Sequence, residues 1–155
     1  MNFEIRSLKA TEWKPAMQLV WEIFNQYEAP EYSNEGIQSF RNFIEDPKLE
    51  KMFLSGQYYT FGAFFGDELI GVIGIRNENH VSLLFVKSEY HRQGVGRALL
   101  NYAFDYIHDF GIYTFTVNAA PYATDFYHKI GFKDMNKEIS TDGIRFTPMK
   151  IQLNN

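Results

Sequence analysis

Between residues 80 and 110 a mostly apolar run, His80–Val86, passes through a polar turn into Gly94-Val95-Gly96 and then into apolar residues at helical spacing. The run has the length and character of a buried central strand. Ala98, Leu99, Tyr102, Tyr106, Ile107 and Phe110 predict a helix over 94–110, and Gly111 stands where a left-handed cap closes such a helix. The rest of the chain must supply partners for that strand and a surface for that helix to cover.

Upstream, Phe3–Leu8 alternates and predicts an opening strand. Thr11 is placed to cap a first helix, whose stripe of Trp13, Ala16, Met17, Val20, Ile23, Phe24 and Tyr27 is core packing, with Tyr27 at its end set apart. Glu28–Glu35 is a loop; Ser33 caps a second helix that turns Ile37, Phe40, Phe43 and Ile44 inward, and Asp46-Pro47 ends it. After a linker near Ser55-Gly56, Tyr58–Phe65 and Leu69–Arg76 form a hairpin around Gly66-Asp67-Glu68, and the turn at 77–79 makes His80–Val86 the third strand of a meander. Tyr113–Val117 is a strand, 122–130 a short helix closed by Gly131, and the tail a pair of strands around Asp142-Gly143. This order predicts an α/β domain over 1–155 with a mixed sheet and helices on both faces.

The glycines of the junction have a physical purpose. Without β-carbons, Gly94 and Gly96 let phosphate oxygens approach the main chain, where first-turn amides are free, and Arg92 and Arg97 add positive charge. The residues alone leave a second reading, a glycine-softened connection with solvated arginines. A dinucleotide fingerprint needs a third glycine where Leu99 stands, and a phosphate loop needs Gly-Lys-Ser/Thr, which the chain lacks. Cysteine is absent, which removes thiolate metal sites and cysteinyl intermediates. The four histidines show no metal-binding helical spacing, so no metal is expected. Acidic and basic residues are interspersed for a net charge of -4, which speaks against a nucleic-acid partner. No run reaches the roughly 18 apolar residues of a membrane span, so a cytoplasmic protein without a membrane partner is expected.

His91-Arg92-Gln93-Gly94-Val95-Gly96 resembles the acetyl-coenzyme-A signature of the GNAT superfamily, Gln/Arg-x-x-Gly-x-Gly/Ala after the fourth strand, with His91 in place of the usual first residue. Phe126-Tyr127-His128-Lys129-Ile130-Gly131-Phe132 is similar to that family's Phe-Tyr-x-x-x-Gly-Phe segment. The resemblance covers most of the chain. It implies a largely antiparallel sheet of about seven strands, splayed between the fourth and fifth to hold acetyl-coenzyme A. It also implies that the backbone of Leu84, Phe85 and Val86 pairs with the pantetheine arm and that Asn118 completes the arm's hydrogen bonds. His91, Arg92, Gln93, Gly94, Val95, Gly96 and Arg97 would hold the diphosphate, and Tyr127 would face the sulfur.

A phenol of pKa about 10 is a weaker acid than a thiol of about 8.5, so Tyr127 is expected to donate a hydrogen bond to the leaving thiolate rather than a proton outright. The acceptor amine must lose a proton. His80 falls where some superfamily members place a catalytic glutamate; Glu78 or a water chain are alternatives. By the same resemblance the acceptor enters past the first two helices and the last hairpin. There Tyr27, Glu28 and Tyr32, with Glu31 and Glu35, suit a cationic amine, whereas Arg145 and Phe146 suit one that carries a carboxylate. The expected activity is transfer of acetyl to a small-molecule or peptide amine, by a monomer or homodimer. A non-catalytic acyl-coenzyme-A binder is the alternative.

Overall fold

The hairpin and third strand expected from 58–86 are present as β2 (Tyr59–Phe65), β3 (Glu68–Arg76) and β4 (His80–Val86), an antiparallel meander; the computed structural model describes residues 2–154. β1 (Glu4–Ser7) pairs with β2, β5 (Thr114–Ala119) lies parallel to β4, and β8 (Ile144–Gln152) pairs antiparallel with β5. The two-residue β6 (Lys133–Asp134) and the short β7 (Ile139–Thr141) both pair with β8. The order across the sheet is β1-β2-β3-β4-β5-β8-β6, and β4–β5 is its one parallel contact among the described residues. The mixed, largely antiparallel α/β architecture is therefore as expected.

Helices cover both faces. α1 (Trp13–Tyr27), α2 (Asn34–Glu45) and α3 (Pro47–Leu54) pack Trp13, Val20, Phe24, Ile44 and Leu49 against Val72, Leu83 and Phe85. α4 (Val95–His108) and α5 (Thr124–Ile130) bury Leu99, Leu100, Phe104 and Tyr127 against Ile73, Phe115 and Val117 on the other side. Two boundaries differ from expectation. The chain enters α1 through a 3-10 turn at Ala10–Glu12 instead of a Thr11 cap, and the Lys9 amide there donates to Glu12 Oε1 at 2.6 Å. Asp46-Pro47 does end α2, but it also starts α3: Asp46 accepts from the Lys48 amide at 2.9 Å, and Pro47 sits in the first turn, where its missing N–H costs nothing. No helix among the described residues is long and apolar enough to cross a membrane.

One irregularity shapes the site. β3 and β4 pair Gly74 with Leu83 but Ile75 with Val81, which leaves Ser82 as an extra residue. In an unbroken strand Val81, Leu83 and Phe85 would share a face. Here Val81 packs with α4 and α5, while Leu83 and Phe85 pack beneath α1. The bulge is held from below: the Tyr58 hydroxyl lies 2.7 Å from Ser82 Oγ, which also donates to the Gly74 carbonyl at 3.3 Å. Gly74 has no alternative, because a β-carbon there would overlap the Tyr58 hydroxyl. A bulge bends its strand and sharpens its twist. β4 accordingly leaves β5 after only two parallel pairs, His80 with Thr116 and Val81 with Val117.

Candidate active site

The splay opens a gap whose walls are β4 from Val81 to Phe85 and β5 from Val117 to Ala119, closed at one end by Tyr122, Ala123 and Tyr127. Beyond Val81 the edge of β4 that faces β5 has no strand partner, so its backbone groups must find another. The gap holds a cavity of about 70 Å³.

At the outer end of β4 the chain turns through residues 88–94 into α4. Arg92 and Gly94 adopt positive φ, 61° and 83°. The first-turn amides of Val95, Gly96 and Arg97 have no backbone acceptor, and neither Arg92 nor Arg97 is in an ion pair among the described residues. Free first-turn amides with uncommitted cations nearby are an arrangement that can bind an anion. Its two glycines serve different ends. A β-carbon at Gly94 would meet nothing within 4 Å, and its requirement is the left-handed backbone; at Gly96 a β-carbon would stand 3.2 Å from the Phe126 ring, so that residue lets α5 approach α4. His91 braces the turn: Nε2 donates to the Val86 carbonyl at 2.6 Å, and its ring lies 5.1 Å from that of Tyr27.

A second cavity, of about 260 Å³, adjoins the gap and shares Glu28, Phe40, Val81, Ser82 and Asn118 with it. Tyr32, Ser39 and Phe43 from the α2 side, Arg76 and His80 from the β3–β4 turn, and Ile144 and Phe146 from β8 complete its wall. α2 is pinned over β8 by its own cap: the Ser33 amide donates to the Gly143 carbonyl at 3.0 Å, and a β-carbon at Gly36 would overlap that same carbonyl. Two larger depressions, of about 440 and 330 Å³, lie along α1 and include no residue of α4, β5 or the glycine junction.

Glu28 stands where the two cavities meet. Burial raises its carboxyl to about 7, helped by nearby Glu31 and opposed by the Tyr32 hydroxyl, which donates to Oε1 at 3.3 Å. Tyr127 is buried to 6% exposure, and its hydroxyl has no hydrogen-bond partner among the described residues. Burial, with Tyr122 and Glu28 nearby, pushes that phenol well above the usual range. His80 Nδ1 lies 2.8 Å from Thr116 Oγ1, and burial followed by the charge of Arg76 lowers its pKa.

The fold thus brings Leu84, Phe85, Asn118, Tyr127 and Glu28 to one gap, and Glu28, Tyr32 and His80 to the adjoining cavity. His80 lines that cavity but not the narrow gap beside Tyr127. Tyr27 lines neither; its hydroxyl donates to Ser88 Oγ at 3.1 Å, and its ring stacks 5.6 Å from Tyr122, so it supports the wall from behind. Phe146 enters the cavity while Arg145 is exposed and paired with Glu138 at 3.4 Å. Arg76 lines the cavity instead, and sequence reasoning did not single it out. A charge at the end of a strand, before a turn, reads as a surface residue until α2 and β8 are seen to close around it.

Residues 28–153 match the acetyltransferase (GNAT) domain family. No curated protein sequence matches the chain. Among solved structures, the chain is similar to the PaiA N-acetyltransferase of Thermoplasma acidophilum in complex with coenzyme A, at 28% identity over 98% of this chain and 99% of that one, with a TM-score of 0.80. A GCN5-related N-acetyltransferase of Rhodopseudomonas palustris shares the fold at 20% identity and a TM-score of 0.84, over 99% of this chain and 97% of its own. So does the ribosomal-protein-S18-alanine N-acetyltransferase of Escherichia coli, at 20% identity and a TM-score of 0.66, over 99% and 96% of the two chains.

Proposed function

Because the chain belongs to the GNAT acetyltransferase family, we propose that it is a single catalytic domain that moves the acetyl group of acetyl-coenzyme A onto a primary amine of a small molecule or peptide, by direct attack with both substrates bound. The observation that carries this reading is the junction of two cavities at Glu28: one is a strand gap ending at Tyr127, the other a separate chamber with polar and aromatic walls.

The residues present suit the cosubstrate. The unpaired edge of β4 at Leu84 and Phe85 would accept the pantetheine arm as an added strand, with Asn118 opposite; Val86, expected to share in this, does not line the gap and its carbonyl accepts from His91. The Gly94–Arg97 amides, free at the start of α4, would hold the diphosphate, with Arg92 and Arg97 supplying charge and His91 keeping the turn in shape. Acetyl-coenzyme A supplies an activated acyl group and a thiolate that can leave.

Tyr127 holds its proton more tightly than a free phenol does, so its role is to donate a hydrogen bond toward negative charge forming on the sulfur. Glu28 is the group we assign to the amine's proton. With its carboxyl at about 7, a large fraction is ionised at neutral pH and able to accept. It lines both cavities, as a base acting on an amine at the thioester must. His80, neutral and hydrogen-bonded to Thr116, belongs to the acceptor chamber in this reading. Release of free thiol from acetyl-coenzyme A across a panel of amines tests the activity, and calorimetric titration with coenzyme A tests the binding. Tight binding with no amine-dependent thiol release would mean a non-catalytic binder, and absence of binding would remove the whole reading.

A further inference from the structure

We propose that the acceptor is a small amine that also bears a carboxylate, its amine at Glu28 and its carboxylate on Arg76. The inference rests on the acetyl transfer proposed above and names the class of acceptor for the same site. Its basis is a cation with nothing to bind. Arg76 lines the acceptor chamber, yet it takes part in no hydrogen bond or ion pair from its side chain among the described residues, and its Nε is buried without a partner. Its guanidinium rests over the Phe43 ring, whose centroid is 5.4 Å from Cζ. Buried polar groups are ordinarily paired, and a guanidinium left open is a fork that matches a carboxylate.

The two ends of the chamber differ in charge. Glu28 lines both cavities, whereas Arg76 lines the acceptor chamber and not the gap. An acceptor whose amine meets the thioester therefore extends its far end toward Arg76. The rings of Phe40, Phe43 and Phe146 line the same chamber and suit an apolar or aromatic body. His80 beside Arg76 has a lowered pKa, which leaves Arg76 the single standing cation of the wall. One guanidinium balances one carboxylate. A phosphate dianion would keep an uncompensated charge in a chamber whose other ionisable acid is Glu28. The volume of about 260 Å³ is that of a small molecule and not of a folded partner's surface.

The test compares paired acceptors that differ only in a carboxylate distal to the amine: 4-(aminomethyl)benzoate with benzylamine, 4-(2-aminoethyl)benzoate with phenethylamine, and ω-amino acids with the alkylamines of the same length. Thiol release gives kcat/KM for each member on wild type, Arg76→Gln and Arg76→Lys. A site built around a charge-assisted hydrogen bond discriminates by roughly 10- to 100-fold. The wild type should favour the carboxylate-bearing member of at least one pair by that factor. Arg76→Gln should erase the preference mainly through KM, and Arg76→Lys should retain part of it. Equal or better use of the amines without carboxylate, or a preference that survives in Arg76→Gln, overturns the inference. Calorimetric titration of each variant with coenzyme A runs alongside. Unchanged affinity certifies the fold of the variants, and failure of the wild type to bind coenzyme A defeats the acetyl-transfer reading instead.

Discussion

Replacing Glu28 by Gln separates the chemistry assigned to it from its contribution to stability, because the two have opposite consequences across one pH range. The folded carboxyl titrates at about 7 against an ordinary value near 4.5. Below 4.5 it is protonated whether the chain is folded or not. Between 4.5 and 7 the folded state keeps the proton and the unfolded state does not, so stability falls as pH rises and the loss is complete above 7. The full interval corresponds to roughly 3 kcal/mol. The carboxyl opens onto two cavities that water can enter, so a loss nearer 1–2 kcal/mol is expected. Gln cannot ionise, and Glu28→Gln should hold its stability over pH 5 to 8 where the wild type declines. Activity moves the other way. Wild-type kcat/KM should climb through an inflection near 7, and the variant should lose about 100-fold or more at pH 8 and lack the inflection, in line with the 10²–10⁴ that a positioned base contributes. Urea melts at a series of pH values and initial rates by thiol release measure the two arms. Parallel stability curves for the two proteins, or a variant that keeps both its rate and its inflection, would refute the placement of a buried, proton-accepting carboxyl at this junction.

Tyr127→Phe keeps the packing of the ring against Phe126 and Phe132 and removes only the unpartnered hydroxyl; kcat should fall by about 10- to 100-fold, while the calorimetric affinity for coenzyme A stays within a factor of a few, and a wild-type kcat would reject the role. Gly74→Ala places a methyl on the Tyr58 hydroxyl beneath the Ser82 bulge, and overpacking of that kind costs about 1–3 kcal/mol in chemical denaturation; an unperturbed midpoint would show that the bulge has room the geometry denies it. Gly94→Ala strains a backbone at φ 83° and should weaken coenzyme A binding with little change elsewhere, by about 1–2 kcal/mol if the left-handed turn is what presents the amides. Glu12, held near 2 by the Arg6 guanidinium at 2.8 Å, contributes stability that is present above pH 4.5 and lost as pH falls through 2. Since both partners are partly exposed, Glu12→Gln should cost only about 1 kcal/mol at pH 7, and the gap between variant and wild type should close on acidification.

The parts of this fold that were legible from residues are those written in local patterns. The α1 stripe, the Ser33 cap and the glycines at 94 and 131 each follow from the geometry of one element. Even α3, unassigned between Asp46-Pro47 and the linker near Ser55-Gly56, was present in the sequence: Asp before Pro starts a helix as readily as it ends one, and Met52 and Leu49 complete the turn that follows. β6 was not legible, because two residues carry no periodicity. The site itself divides along the same line. The half we assign to the cosubstrate is built from one continuous strand, turn and helix, and so the free amides and the glycines of that junction could be named in advance. Its acceptor half is assembled from α2, the end of β3 and the face of β8, and no window of sequence contains all three. Tyr58, Gly74 and Ser82 are 24 residues apart at their extremes, yet together they set the bulge that parts β4 from β5 and decides where the two halves meet. Arg76 belongs to the same assembly, since this strand-end cation joins a chamber wall only when α2 and β8 bring Phe43 and Phe146 beside it. In the proposed reading specificity therefore resides where distant segments converge, and a change in the α2–β8 contact at Gly36 and Gly143 should alter acceptor choice without touching the residues assigned to coenzyme A.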